Sequence, residues 1–265
     1  MTLQGYWADL KAPAFKALPD DLVVVLPLGA TEQHGPHLPL SVDTDLISGV
    51  TDRMLTHLDP SQSVLVLPAL SVTKSGEHDS FPGTLSLSAD TLLAVLRDIG
   101  ASLARAGVTR LVMFNGHGGN TALLDIVARD LRKAHDMIVV HASWFGFAEF
   151  NGVLDQASLV HDIHAGDSET SPMLALKPEA VDMAQARDFR PAMTDWAETH
   201  PMIGLSGQPA RPGWLAEDVS DEGACGNAAA ATPEKGEKLI ESSARNFAAF
   251  LADFAGFDHR RRRDD

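Results

Sequence analysis

Leu22-Val23-Val24-Val25-Leu26-Pro27-Leu28 is an unbroken apolar run, and the chain changes character directly after it, in Gly29-Ala30-Thr31-Glu32-Gln33-His34-Gly35-Pro36-His37. A strand with one wet face alternates apolar and polar residues. A continuous run rich in Val and Leu is instead a strand covered on both faces, the habit of parallel sheets. The same type recurs at Ser63 to Leu70, Thr109 to Phe114 and Met137 to Val140, and between these runs Leu46 to Leu58, Thr91 to Ala106 and Thr121 to His135 carry helical periodicity. Strand alternating with helix predicts an α/β fold with helices on both faces of the sheet. Thr232-Pro233 reads as an N-cap followed by proline in the first helical position, opening a helix striped with Leu239, Ile240, Phe247, Phe250, Leu251 and Phe254.

The remaining long stretch, Arg190 to Ala231, is broken by interleaved prolines and glycines, and a segment of that kind shapes a site or a subunit contact. The tail from Arg260 to Asp265 reads as a solvated end. With 265 residues, 45% of them hydrophobic and 22% charged, the composition is that of a globular protein. A formal charge of −15 repels polyanions, which speaks against nucleic acid as the main partner. The single cysteine, Cys225, excludes an intramolecular disulfide and a Cys-rich zinc site. Neither a basic segment followed by an apolar stretch near Met1 nor an apolar run of membrane-spanning length is present, so a soluble cytoplasmic protein without a membrane partner is expected.

In an open parallel sheet, ligands bind beyond the carboxyl ends of the strands, so the loops after the strands are where chemistry is expected. The first is dense with metal-capable side chains: Glu32, His34, His37, Asp43 and Asp45. The second carries Glu77, His78 and Asp79, the third is Asn115-Gly116-His117-Gly118-Gly119-Asn120, and a further loop holds His161, Asp162, His164, Asp167 and Glu169. Histidine and carboxylate without cysteine suit zinc, manganese or iron in a hydrolytic site. Each residue also has a plainer reading. Asp43 or Asp45 caps a helix beginning near Thr44, His117 on its glycine loop contacts a phosphate, and Glu169 complements the dipole of a helix starting near Asp167. Their joint occurrence at strand ends favours a metal site. Dinucleotide, nucleotide-triphosphate and serine-hydrolase readings lack their motifs, and Cys225 shows no base partner that would make it a nucleophile.

Four blocks are recognisable together: Leu28 to Leu40 with Asp43; Ser75-Gly76-Glu77-His78 with Phe81-Pro82-Gly83-Thr84; Asn115 to Asn120; and His164-Ala165-Gly166-Asp167-Ser168-Glu169-Thr170-Ser171. In these blocks the chain resembles the creatininase (creatinine amidohydrolase) family. The resemblance implies one metal-dependent hydrolase domain over residues 1–265, a three-layer α/β/α fold with a mostly parallel central sheet, assembly into hexamers, and two divalent metals at the carboxyl edge of the sheet. Carried over by position, Glu32 and His117 hold one metal, His34 and Glu169 the other, and Asp43 bridges them; Asp45 is left as a helix-start residue. His164 matches the histidine that acts in proton transfer, and Glu77 and His78 are substrate or supporting contacts. Two departures point away from creatinine itself: Gly119 stands where members that hydrolyse creatinine carry a glutamate, and Gly226-Asn227-Ala228 replaces a Gly-Asp-Pro segment.

Three carboxylates against two divalent ions leave about one positive charge, suited to activating water and receiving a carbonyl. The expected activity is hydrolysis of a C–N amide bond in a small cyclic or formylated compound. The alternatives are peptide trimming, hydrolysis of a lactone or cyclic ketone, or a non-catalytic binding module. A nucleotide substrate would need positive charge, for which Lys74, Arg190 and Arg211 are available, whereas Trp144, Trp196 and Trp214 are expected to bury.

Overall fold

The computed structural model describes residues 2–205 and 207–260, so of the charged tail only Arg260 falls within the described residues. Arg260 is tied down rather than free, donating to Asp258 and Asp136. Five parallel strands form the central sheet: β1 (Gln4–Tyr6), β2 (Val23–Leu28), β3 (Val64–Val66), β4 (Arg110–Asn115) and β5 (Ile138–Ser143), in the order β1-β3-β2-β4-β5. β2 lies at the middle and every one of its residues is buried, which is why its sequence shows no alternation. Val23 and Val25 face one hydrophobic cluster; Val24, Leu26 and Leu28 face the other.

The first cluster is covered by α1 (Val42–Leu55), α5 (Asp167–Leu176) and α8 (Pro233–Gly256), and the second by α2 (Ala89–Arg105) and α3 (Thr121–His135). Helix, sheet and helix therefore make three layers, as expected. α3 has the bounds its periodicity predicts, and Thr232 caps α8 by accepting from Lys235 N–H at 3.3 Å. α1 begins at Val42, earlier than its apolar stripe suggests, so Asp43 lies inside the first turn and is not a cap. The run Ser63 to Leu70 gives only a three-residue strand, because Pro68 has no N–H to donate to the ladder. Pairing with β2 resumes at Leu70, whose N–H donates to Pro27 O at 3.1 Å.

Between Arg190 and Ala231 lie two short helices, α6 (Met193–Thr199) and α7 (Ala216–Val219). A two-stranded antiparallel ladder pairs β6 (Asp188–Phe189) with β7 (Gly226–Asn227), and the remaining helix, α4 (Gln156–Leu159), precedes α5. No helix among the described residues is long and apolar enough to cross a membrane.

Strand order fixes where a site can form. From β2 the chain crosses by α1 to β3 on one side, then returns by α2 across β2 to β4 on the other. The chains leaving β2 and β4 thus run to opposite faces, α1 to one and α3 to the other, and open a crevice at the reversal point. Leu28 pairs with Asn115 and Asn115 with Ser143, so β2, β4 and β5 end at one level and release their loops into the same space.

Candidate metal centre

The loop after β2 delivers Glu32 and His34, and the first turn of α1 brings Asp43 back beneath them. Gly29 permits this return: a Cβ there would lie 2.7 Å from Thr44 N. The loop after β4 delivers His117, fixed by Asn115, whose side-chain amide donates to His117 O at 2.6 Å and whose side-chain oxygen accepts from His117 N–H at 3.3 Å. Glu169 comes from the first turn of α5, and Ala165 N–H donates to its Oε2 at 2.6 Å across a turn in which Ala165 adopts a φ of 60°.

These side chains converge. His117 Nδ1 lies 3.3 Å from Glu32 Oε1 and 3.4 Å from Asp43 Oδ2, whereas His34 Nε2 lies 3.5 Å from Asp43 Oδ1 and 3.9 Å from Glu169 Oε2. Glu32, Asp43 and His117 form one group of potential ligands and His34, Asp43 and Glu169 another, with Asp43 in both; Glu32, His34 and His164 form a third. All are buried. Both Glu32 oxygens, His34 Nε2 and Asp43 Oδ2 have no hydrogen-bond partner among the described residues. Polar atoms left so in a protein interior cost about 1–3 kcal/mol each and call for an ion or water. The donor set of imidazole and carboxylate, with its open atoms pointing at one another, fits divalent cations.

The outer nitrogens strengthen that fit. His34 Nδ1–H donates to Glu32 O at 3.1 Å and His117 Nε2–H to Lys74 O at 2.9 Å, which turns the lone-pair nitrogen of each ring inward. Burial opposes charging of these rings, but Asp43, Glu169 and Glu32 outweigh it at His34 and push its pKa up to about 9. At His117 burial is likewise outweighed, by Glu32 and Asp43, and its pKa stands well above the ordinary value. Burial also opposes the Asp43 carboxylate, yet His34 and His117 hold it far below the usual range. Burial pushes Glu169 up to about 7, against the pull of His34 and with repulsion from Asp43 added.

His164 sits beside the cluster, its Nδ1 3.8 Å from Glu32 Oε1, and its Nε2–H donates to Gln33 O at 2.8 Å. Burial, then His34 and His78, drive its pKa well below the ordinary value, so the ring is neutral. His78 Nε2 lies 3.5 Å from Glu32 Oε1, and its Nδ1 accepts from the Gln33 amide at 2.7 Å. Glu77 stands on the outer side of His117, 3.7 Å from Nε2, in an ion pair with Lys74. Its carboxylate fills the space a side chain at Gly119 would take.

Other candidates lie apart. His37 turns away to share a 2.9 Å hydrogen bond with Thr170 Oγ1, and burial lowers its pKa to about 4. Asp45 pairs with Lys177 and accepts from Ser41 Oγ, as suits a residue at a helix start. Arg190 pairs with Asp195 at 2.8 Å, away from the cavity that Lys74 and Arg211 line. That cavity, about 730 Å³, opens onto the cluster; Trp214 forms part of its wall, contrary to the expectation that it buries, whereas Trp144 is fully buried. Gln33 carries no signal as a ligand, yet its amide links His78 to Gly223 O.

The family model for creatininase, described as creatinine amidohydrolase, matches residues 8–251. The chain belongs to the creatininase family. It is 36% identical over 251 residues to a creatinine amidohydrolase of Pseudomonas putida, covering 89% of both chains. A mycofactocin precursor peptide peptidase of Mycobacterium ulcerans is 36% identical over 227 residues, with 82% of this chain and 79% of the relative covered. A solved mutant creatininase of Zn–Zn type superposes with a TM-score of 0.73 at 30% identity, covering 95% of this chain and 98% of that one. This member of the family is a metal-dependent hydrolase acting on C–N bonds.

Proposed function

We propose that the chain hydrolyses a C–N amide bond in a small cyclic or formylated compound at a dinuclear centre. Glu32 and His117 hold one divalent ion, His34 and Glu169 the other, and Asp43 lies between them. The observation that carries this reading is the division of the Asp43 carboxylate, with Oδ2 3.4 Å from His117 Nδ1 and Oδ1 3.5 Å from His34 Nε2. Zinc, manganese or iron suits these donors. When bound, a divalent pair lowers the pKa of water toward about 7 and polarises the amide carbonyl.

The chain's own groups do the rest. Two backbone carbonyls hold the His34 and His117 rings with their lone pairs inward, and His78 steadies Glu32 while Gln33 steadies His78. His164 is neutral with Nε2–H committed to Gln33 O, so Nδ1 is the atom that accepts a proton from the attacking water and returns it to the leaving nitrogen. Glu77 and Lys74 bound the substrate side of His117. The working unit in this proposal is one domain over residues 1–265, cytoplasmic and homo-oligomeric, hexameric as its relatives' resemblance implies, without a nucleic-acid or membrane partner.

Peptide trimming is the second reading, favoured by the identity to the mycofactocin precursor peptide peptidase and by a cavity of about 730 Å³, roomier than a five-membered ring requires. Metal content per chain of protein purified without chelator tests the centre. Close to two ions are expected, falling to one or none in Glu169→Ala, with turnover then sought on small amides and a short peptide. No bound metal after reconstitution would overturn the mechanism and leave a non-catalytic binding module. Turnover of a lactone that survives His164→Ala would favour an oxygen or carbon leaving group.

A further inference from the structure

Arg211-Pro212-Gly213-Trp214 forms part of the wall of the cavity, and its backbone is held at both ends. On one side Ala210 N–H donates to Met202 O at 3.1 Å and Ala210 O accepts from Gly204 N–H at 3.0 Å. On the other, Leu215 N–H donates to Asp218 Oδ2 at 2.8 Å, and the Trp214 ring packs edge-on to His78 with centroids 6.4 Å apart. His78 in turn lies 3.5 Å from Glu32. Trp214 is thus one ring away from the cluster, and Arg211, three residues earlier, is at most about 10 Å of chain from Trp214.

Charge singles out Arg211. Of the two cations that line the cavity, Lys74 is neutralised by Glu77. Arg211 has no carboxylate partner among the described residues, although the chain carries a net charge of −15. The lining carboxylates Glu32, Asp43, Glu77 and Glu169 contribute −4, Lys74 and Arg211 +2, and a divalent pair +4, so the loaded cavity holds about +2 inside an acidic protein. Half of that excess belongs to Arg211. A guanidinium presents a rigid fork of donors matched to carboxylate or phosphate oxygens. Phe145, Leu205 and Trp214 supply apolar wall beside it.

Resting on the metal-centre reading above, we propose that Arg211 recognises an anionic group of the substrate, a carboxylate or a phosphate a few bonds from the scissile amide. The enzyme is then selective for acidic amides over neutral ones.

The test uses zinc-loaded protein and three hydroxamates that share a metal-binding head and a four-carbon chain and differ only in their tail: carboxylate, phosphate or neutral carboxamide. Affinities are measured by calorimetry for wild type and Arg211→Gln. At least one anionic tail is expected to bind tenfold or more tightly than the carboxamide in wild type, with the gap shrinking below twofold in Arg211→Gln; which tail gains identifies the anion. Equal affinities of all three in wild type, or a gap that survives the substitution, would overturn the assignment while leaving the metal centre intact. If no hydroxamate binds, the metal centre itself fails and this assignment falls with it.

Discussion

At the scale of single residues, the inner nitrogens of His34 and His117 are contested between a proton and a metal ion. In the metal-free protein the proton is favoured, since Asp43, Glu169 and Glu32 surround His34 and push it up to about 9, while Glu32 and Asp43 raise His117. The sign for stability follows: a histidine whose pKa is raised from 6.5 contributes stability that is complete below pH 6.5 and lost as pH climbs through about 9. For metal the sign is opposite, because an ion must displace the proton, so affinity rises with pH over that same interval. Zinc titration at pH 7.5 in two buffers of different ionisation enthalpy checks this: the observed heats are expected to differ by the enthalpy of about one or more protons released per chain. Heats independent of the buffer would show that both rings are already neutral.

Elements carry these residues, and most of the elements were legible. The run at Leu22 and the periodicity of Thr121 to His135 are strong because both record burial directly: β2 is covered on both faces, and α3 buries Leu123, Leu124, Val127 and Leu131. β1 left no signal, since a three-residue edge strand with the sequence Gln4-Gly5-Tyr6 buries none of its residues. Candidate ligands were legible as dense polar loops after apolar runs. Arg211 was legible only as one of three available cations, Trp214 was expected to bury and Gln33 gave no signal, because their place in the site depends on how distant loops close over it.

Helix α8 shows how an element far from the chemistry governs it. Gly236 lies against α5 so closely that a Cβ would meet the Ser171 carbonyl and sit 2.7 Å from Pro172 N, both backbone atoms. Gly236→Ala gains helix propensity of about 1 kcal/mol but must push α8 off α5. Overpacking of this kind costs about 1–3 kcal/mol, and no side-chain rotation relieves it. A melting temperature several degrees lower is expected, together with weaker zinc binding, because the displaced α5 carries Glu169. A variant as stable as wild type, with full zinc affinity, would show that the two helices separate without moving the ligand.

For the whole molecule, the centre is a stability problem as well as a catalytic device. Three buried carboxylates, Glu32, Asp43 and Glu169, meet where β2, β4 and α5 converge, and several of their oxygens have no hydrogen-bond partner among the described residues. In the metal-free protein the protons on His34 and His117 offset part of this charge, and divalent ions displace those protons and take over the neutralisation. Ions that bind only the native state stabilise it by mass action, about 2.7 kcal/mol for a site at a hundredfold excess over its Kd. For a chain of this size each kcal/mol raises Tm by roughly 2–4 °C. Filling one site should therefore raise Tm by roughly 5–10 °C, with a further rise from a second, and a chelator should reverse it. Asp43→Asn separates this from nonspecific binding. It removes the carboxylate that His34 and His117 hold far below its usual range, so the metal-free variant is expected to melt below metal-free wild type and to gain little from zinc. A zinc-induced rise that Asp43→Asn leaves intact would place the ion elsewhere and remove Asp43 from the centre.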